Sequence, residues 1–450
     1  MSDSQLDGLV VTIPNIAGWP LRSLDDLCSL ISRGTAPVYV ENSEVLVIGQ
    51  RCVALSGFSP VFARPHSHRA MRNILRPEAG DILLNSTGTG TIGRSVFFDT
   101  EGAFIVDGHV TVLRPHPIAA NGQWLNAVLQ TSWAQNHLEC FCYSGSTNQL
   151  ELSRTPLRTS YLPTPPIAEQ TCIAQILDTL DTAIHETEAI IAKLKAIKQG
   201  LLHDLLTRGI NANSELRPPQ SEAPHLYKQS PLGWIPKEWE VKPLGQILAE
   251  PAKNGLYKPS QFHGRGPLMV QMGGLFTGEA VDFQTATLVQ VSPSELNIFG
   301  LSVGDLLFAR RSLVFEGAGL CAIVRYLPAP STFESSIVRA RLRGEMALPE
   351  FVCQFLRGET SSAQRRTFIR QVAVSGVSST DIRQLLIAIP PLPEQKLIVV
   401  RQLGVQAQIN HEAKIVAKLF SEKVGLMDDL LTGRVRVTPL LDAESADHAN

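Results

Sequence analysis

From Ile173 onward, apolar residues recur at alternating steps of four and three: Ile173, Leu177, Leu180, Ile184, Ile191, Leu194, Leu201 and Leu205, with Thr187 and Lys198 filling the two remaining places in the series. That spacing lays one apolar stripe along a long helix and is the pattern of a coiled-coil seam. The series returns at an offset of 225 residues through Ile398, Val405, Ile409, Val416, Leu419, Leu426 and Leu430, with Gln402, Glu412 and Lys423 at its polar places. Thr187 falls where Glu412 falls, and Lys198 where Lys423 falls; a polar residue in a seam fixes register at some cost in stability. A helix of about 40 residues rises roughly 60 Å, more than the width of a small domain. The pattern therefore predicts two long antiparallel helices that pair and act as a spacer.

The flanks repeat as well. The helix starts PPIAEQ (165–170) and PPLPEQ (390–395) and the helix ends LLHDLLT (201–207) and LMDDLLT (426–432) share the same offset. Proline suits a first helical turn and disfavours helix before it, so each diproline marks a start, and Gly209 and Gly433 follow the two ends. Upstream, Gly80-Asp81-Ile82-Leu83 matches Gly304-Asp305-Leu306-Leu307, and Trp19 to Leu24 matches Trp239 to Leu244. Landmarks that keep their order twice over indicate a tandem duplication. Each copy is a mixed α/β segment followed by one long helix, which makes the chain α+β. The expected layout is an N-terminal arm (1–18), a first mixed domain (19–164), a first spacer helix (165–208), a Pro/Ser/Asn-rich linker (209–233), a second mixed domain (234–389), a second spacer helix (390–432) and a disordered tail (433–450).

Composition narrows the possibilities. A chain of 450 residues, 44% hydrophobic, supports two or three cores. No apolar run of membrane-spanning length and no apolar leader is present, so the expected location is the cytoplasm, without a membrane. Seven scattered cysteines do not form the dense even set of a small secreted domain. A net charge of -2 excludes a uniformly basic nucleic-acid binder, so such a role needs local concentration of arginine. Residues 51–76 supply it with five arginines and no acid, and Arg310, Arg311, Arg325, Arg339, Arg341 and Arg343 form a second concentration.

With these motifs in view, the layout resembles the specificity subunit of type I restriction-modification systems. The resemblance is carried by GWIPKEWEVKPLGQI (233–247), the GDILL and GDLLF strands, both PP..EQ helix starts and both DLLT helix ends, and it extends from about Trp19 to Thr432. It implies that each mixed segment is a target recognition domain reading one half of a bipartite site in double-stranded DNA. It further implies that the paired helices separate these domains and dock two methylation subunits, and that restriction subunits join the complex. On that reading the chain is non-catalytic and holds no cofactor or metal; S-adenosylmethionine, used to methylate adenine N6, and ATP with Mg belong to the partners.

One motif points elsewhere. Gly88-Thr-Gly90-Thr-Ile-Gly93 fits the fingerprint of a dinucleotide-binding turn, but that turn opens a helix. Here GRSVFF follows, which is β-branched and aromatic and predicts a strand, so the glycines shape a hairpin or bulged loop. A nucleotide-dependent enzyme and a coiled-coil scaffold that never touches DNA are the rival readings. Candidate DNA contacts are Ser86, Thr87, Thr89, Thr91 and Arg94 in this loop, and Ser144, Ser146 and Thr147 in YSGSTNQL. Arg64, His66, His68, Arg69 and Arg72 come from the acid-free stretch, and Lys258, Arg310, Arg311, Ser375 and Ser378 from the second copy. Hydroxyls and guanidinium groups can donate to phosphates or base edges. His137, Cys140 and Cys142 lie close together in sequence but lack a complementary pair of metal ligands. Neither a G-x-x-x-x-G-K-[ST] loop nor the Asn/Asp-Pro-Pro-aromatic motif of an adenine methyltransferase occurs.

Overall fold

The computed structural model describes residues 13–67, 74–146, 149–371 and 375–447. The chain divides into two compact units, residues 1–189 with 414–450 and residues 190–413. The long helices, Ile167–Thr207 and Leu392–Leu431, each contribute one part to each unit.

In the first unit a four-stranded antiparallel sheet runs in the order Cys28–Arg33, Val110–Pro115, Ile82–Asn85, Ser95–Phe97. Ile82, Leu83 and Leu84 of the GDILL run are all apolar because both faces of their strand are covered. Ile82 and Leu84 pack with Trp124, Leu125 and Val128 of the helix Gly122–Gln130, while Leu83 points the other way, toward Ile48, Val53, Phe98 and Phe104. Asn121 starts that helix by accepting from the Trp124 amide at 3.0 Å. A second, three-stranded sheet sets Leu46–Ile48 between Arg64–Pro65 and Phe104–Val106.

The second unit has the same plan. Its four-stranded sheet is ordered Lys253–Asn254, Ile337–Ala340, Leu306–Ala309, Cys321–Ile323. Leu306 and Phe308 face one core and Leu307 and Ala309 the other. Strand Leu21–Ser23 pairs with Tyr161–Pro163 in the first unit, as Glu240–Pro243 pairs with Leu386–Ile389 in the second.

The repeated motifs are framework. Asp81 is buried and takes Arg114 Nε and Nη2, both at 2.9 Å, and the Glu78 amide at 2.7 Å. Asp305 does the same with Arg341, at 2.7 and 2.8 Å, and the Ser302 amide at 2.7 Å. The glutamine of each PP..EQ ties its helix start to the mixed segment. Gln170 accepts from Asn121 N at 2.8 Å and donates to the Ala119 and Pro165 carbonyls; Gln395 accepts from Leu348 N at 2.8 Å and donates to Met346 and Pro390. The neighbouring glutamate is ion-paired, Glu169 with Arg436 and Glu394 with Arg217, each at 2.5 Å.

Every seam position of both helices is buried or half-buried, whereas Glu188, Lys195, His411 and Glu422 are exposed. Within the second unit Lys198 Nζ reaches Gln406 Oε1 at 2.7 Å, and within the first Lys423 Nζ reaches Asp181 Oδ1 at 2.5 Å. The two seam lysines thus leave the apolar stripe through the same antiparallel contact.

Two expectations need correction. The stretch 209–233 is not a loose linker: Tyr227–Ser230 and Gly233–Pro236 form a hairpin, and Ile210, Arg217, Ala223 and Tyr227 are buried. The tail is ordered through residue 447, with Val437 buried, Arg436 held by Glu169 and a helix at Thr438–Asp447. In both places single anchoring side chains fix the chain, and such anchors leave no periodic trace.

Candidate nucleic-acid interface

The glycine loop connects two antiparallel strands, Ile82–Asn85 and Ser95–Phe97, and no helix opens after Gly93. Gly88, Gly90 and Gly93 have φ values of 96°, 77° and 82°, in the left-handed region that glycine enters without strain. The loop is closed by its own side chains: Thr91 Oγ1 donates to Thr87 O at 3.2 Å and Gly88 O at 3.1 Å, and Arg94 Nη2 donates to Gly90 O at 2.6 Å. It is a turn built for shape, not a phosphate cradle.

The fold brings this loop against the second candidate segment. Thr87 bridges Glu151, and Leu152 N donates to Ser86 O at 2.8 Å. Arg33 fastens the junction, reaching Glu151 at 3.1 Å, Ser86 O at 3.2 Å and Leu152 O at 3.1 Å. Between them opens a cleft of about 560 Å³ lined by Thr87, Gly88, His109, Ser144, Gly145, Gln149, Leu150 and Glu151. Thr87 Oγ1 meets His109 Nδ1 at 2.8 Å and the Gln50 amide. His109 N donates to Asp107 Oδ1 at 2.7 Å, and burial pushes the Asp107 carboxyl above the ordinary aspartate range. Sequence reasoning missed His109 and Gln149; His109 follows an Asp-Gly turn inside a strand-like run, which is the signal available for it.

The second unit joins the corresponding segments. Arg311 pairs with Gly376 and Ser312 with Ser375 across two short strands, and Val377 N donates to Arg310 O at 3.0 Å. A cleft of about 360 Å³ lies beside them, lined by Met272, Phe276, Arg311, Ser312, Leu313, Val314 and Ser336. Arg311 is exposed and Arg310 half-buried. Leu313 is 92% exposed. An arginine beside an exposed apolar loop tip offers a bidentate donor for guanine and an apolar contact for a thymine methyl group.

The remaining candidates separate into groups. Thr89, Ser144 and Ser146 are exposed. Arg64 is exposed and stacks 3.8 Å from the Tyr39 ring centroid, as Arg51 stacks 4.5 Å from that of Phe62. Four candidates are engaged by partners within the fold. His66 is buried and accepts from Val38 N at 3.1 Å; Ser86 is buried against Thr111 Oγ1 at 2.5 Å. Lys258 is drawn into an ion pair with Glu295 at 2.7 Å. Ser378 caps the helix Ser379–Gln384, accepting from Asp381 N at 3.1 Å. His68, Arg69, Arg72 and Thr147 lie outside the described residues. His137 Nε2 meets Ser160 Oγ at 2.9 Å, and among the described residues no three His, Cys, Asp or Glu side chains are grouped to hold a metal. Nor, among those residues, is any helix long and apolar enough to cross a membrane.

Comparison with known proteins agrees with this layout. Residues 17–196 match the model of the type I restriction modification DNA specificity domain. The EcoKI specificity subunit of Escherichia coli is 25% identical over 402 residues, covering 83% of this chain and 82% of that subunit. The MjaVIII specificity subunit of Methanocaldococcus jannaschii is 24% identical over 284 residues, 62% of this chain and 63% of that one. Among solved structures, a type I restriction-modification assembly superimposes with a TM-score of 0.56 at 15% identity, covering 93% of this chain and 98% of that one. The S subunit from M. genitalium gives 0.54 at 13%, covering 93% and 97%. In motif order, in sequence and in fold, the chain resembles the specificity subunits of type I restriction-modification systems.

Proposed function

We propose that this chain is the DNA-reading, non-catalytic subunit of a type I restriction-modification complex, and that its two mixed domains (19–164 and 234–389) each read one half of a bipartite site. One observation carries the reading. In each unit the loop after the GD strand is joined to the segment that leads back toward a long helix, at Thr87 with Glu151 and at Arg311 with Gly376. These joined loops differ between the copies, glycine and threonine in one and paired arginines in the other. The two half-sites therefore differ. The paired helices act as an antiparallel coiled coil whose length sets the spacing, and their exposed faces dock two methylation subunits, with restriction subunits added to these. S-adenosylmethionine and ATP with Mg act in those partners, in the cytoplasm. The target adenine must leave the stack to be methylated, so this chain holds the duplex while a partner extracts the base.

The test is long-read methylation sequencing of cells carrying this gene with its methylation partner, against cells lacking this gene alone. A split, asymmetric N6-methyladenine motif that disappears with the gene is the expected result. No change of motif with all chains expressed and assembled would leave a protein scaffold that does not read DNA.

A further inference from the structure

A cleft of about 610 Å³ in the second unit has no part in the loop junction described above. Its lining includes Gly245, Glu250, Arg343, Thr380 and Arg383. Both arginines are exposed. Arg343 spends only Nε on the Leu248 carbonyl, at 2.9 Å, and among the described residues no ion pair engages Arg383. The one lining carboxylate, Glu250, is outnumbered by Lys253 at 2.6 Å, Arg339 at 2.6 Å and Arg341 at 3.5 Å. The cleft is therefore a cationic recess with free guanidinium donors.

The first unit shows what has been removed to make it. Ser23 pairs with Tyr161 as Pro243 pairs with Leu386, so Asp25 corresponds to Gly245 and Arg158 to Arg383. Asp25 engages Arg158 bidentately at 2.8 and 3.0 Å. Gly245 presents no carboxylate, and a Cβ at that position would lie 3.3 Å from Arg383 Cβ. Likewise His116 N donates to Leu27 O as Arg343 N donates to Ile247 O, so histidine in one copy stands where arginine stands in the other. One copy is neutralised and the other carries two open arginines on the same framework.

We propose that Arg343 and Arg383 grip backbone phosphates of the DNA strand beside the half-site read by the second unit. This rests on the DNA-reading function proposed above. Arg383 lies in the helix Ser379–Gln384, which begins two residues after Val377, the residue bonded to Arg310 O; the grip thus adjoins the loop junction. Planar guanidinium forks suit phosphate oxygens, and contacts of this kind position a duplex without reading it. A surface for two identical methylation subunits would recur in both copies. The open arginine pair does not recur, since the first unit has His116 and an ion-paired Arg158 at the corresponding places.

The test measures affinity of the full chain, assembled with its methylation subunits, for duplex DNA between 50 and 200 mM salt. Each phosphate contact contributes about 0.9 to the slope of log affinity against log salt. An Arg343→Gln/Arg383→Gln variant should lose about 1.8 from that slope, so that its affinity falls about twelvefold less than the parent's over this fourfold range, while the methylated motif stays the same. Gly245→Asp, which restores the first unit's carboxylate, should lose about 0.9. Unchanged slopes in both variants would overturn the phosphate grip while leaving DNA reading intact. Impaired assembly at unchanged slope would assign the cleft to a protein partner instead and overturn it equally. A parent complex without salt-dependent DNA binding would sink the proposed function itself.

Discussion

Replacing Glu394 by alanine tests whether the PP..EQ motif is framework. Glu394 is buried, and its Oε1 accepts from Arg217 Nη1 at 2.5 Å, Ile210 N at 2.8 Å and Trp239 Nε1 at 3.1 Å, while Oε2 takes Arg217 Nη2 at 3.1 Å. Arg217 is itself only 9% exposed at its side chain. Removing the carboxylate leaves a buried guanidinium, an amide and an indole N–H without their acceptor; breaking a buried pair from one side costs about 3 to 5 kcal/mol. Glu238, 3.6 Å from Arg217 and half open to water, recovers a little of that. Glu169→Ala is the internal control. Its partner Arg436 is 40% exposed and stays hydrated when the pair is lost, and Trp19 Nε1 has no hydrogen-bond partner to lose. That change should cost about 1 to 2 kcal/mol. Hydrogen exchange at Glu240–Pro243 and at Leu21–Ser23 reads the two units separately in the full chain. Equal losses in the two variants, or a loss below about 1 kcal/mol for Glu394→Ala, would refute the assignment of this glutamate to the framework.

Other expectations are as direct. Arg310→Ala with Arg311→Ala should weaken binding by about 1 to 3 kcal/mol per lost base contact and relax one half of the methylated motif only; an intact motif at full affinity would remove both residues from the interface. Inserting seven residues, two turns or roughly 10 Å, at equivalent points of both long helices should lengthen the permitted spacer by about three base pairs at 3.4 Å each, and an unaltered spacer in methylation sequencing would end the ruler idea. Gly93→Ala should destabilise the first unit by about 1 to 3 kcal/mol, because φ is 82° there and a Cβ would lie 2.2 Å from the Tyr143 hydroxyl; an undisturbed melting curve would contradict that strain.

The long helices were legible because a seam repeats its pattern many times, and repetition outweighs any single exception such as Thr187 or Lys198. The GD strands were legible as apolar runs, and their burial on both faces explains why the runs do not alternate. What could not be read was the purpose of the polar landmarks. Asp81, Gln170, Glu169 and their counterparts look like chemistry in a sequence, yet each is spent on holding one element to another across dozens of residues. His66 and Ser86 misled for a related reason: neighbouring arginines and glycines say nothing about which way a side chain points, and both point inward.

The duplication also supplies the means of separating framework from function. Two copies that fold alike must keep the contacts that make them fold, and they do: Asp81 with Arg114 as Asp305 with Arg341, Gln170 as Gln395, Lys423 as Lys198. Where the copies part at equivalent exposed sites, stability supplies no common requirement, since each version is accommodated on the same scaffold. Asp25 against Gly245 and His116 against Arg343 are such departures, and so is a threonine-glycine loop against paired arginines. The proposed reading of two different half-sites with one architecture requires differences in such places. The arginines freed in the second unit are thus better explained by what the chain touches than by how it folds.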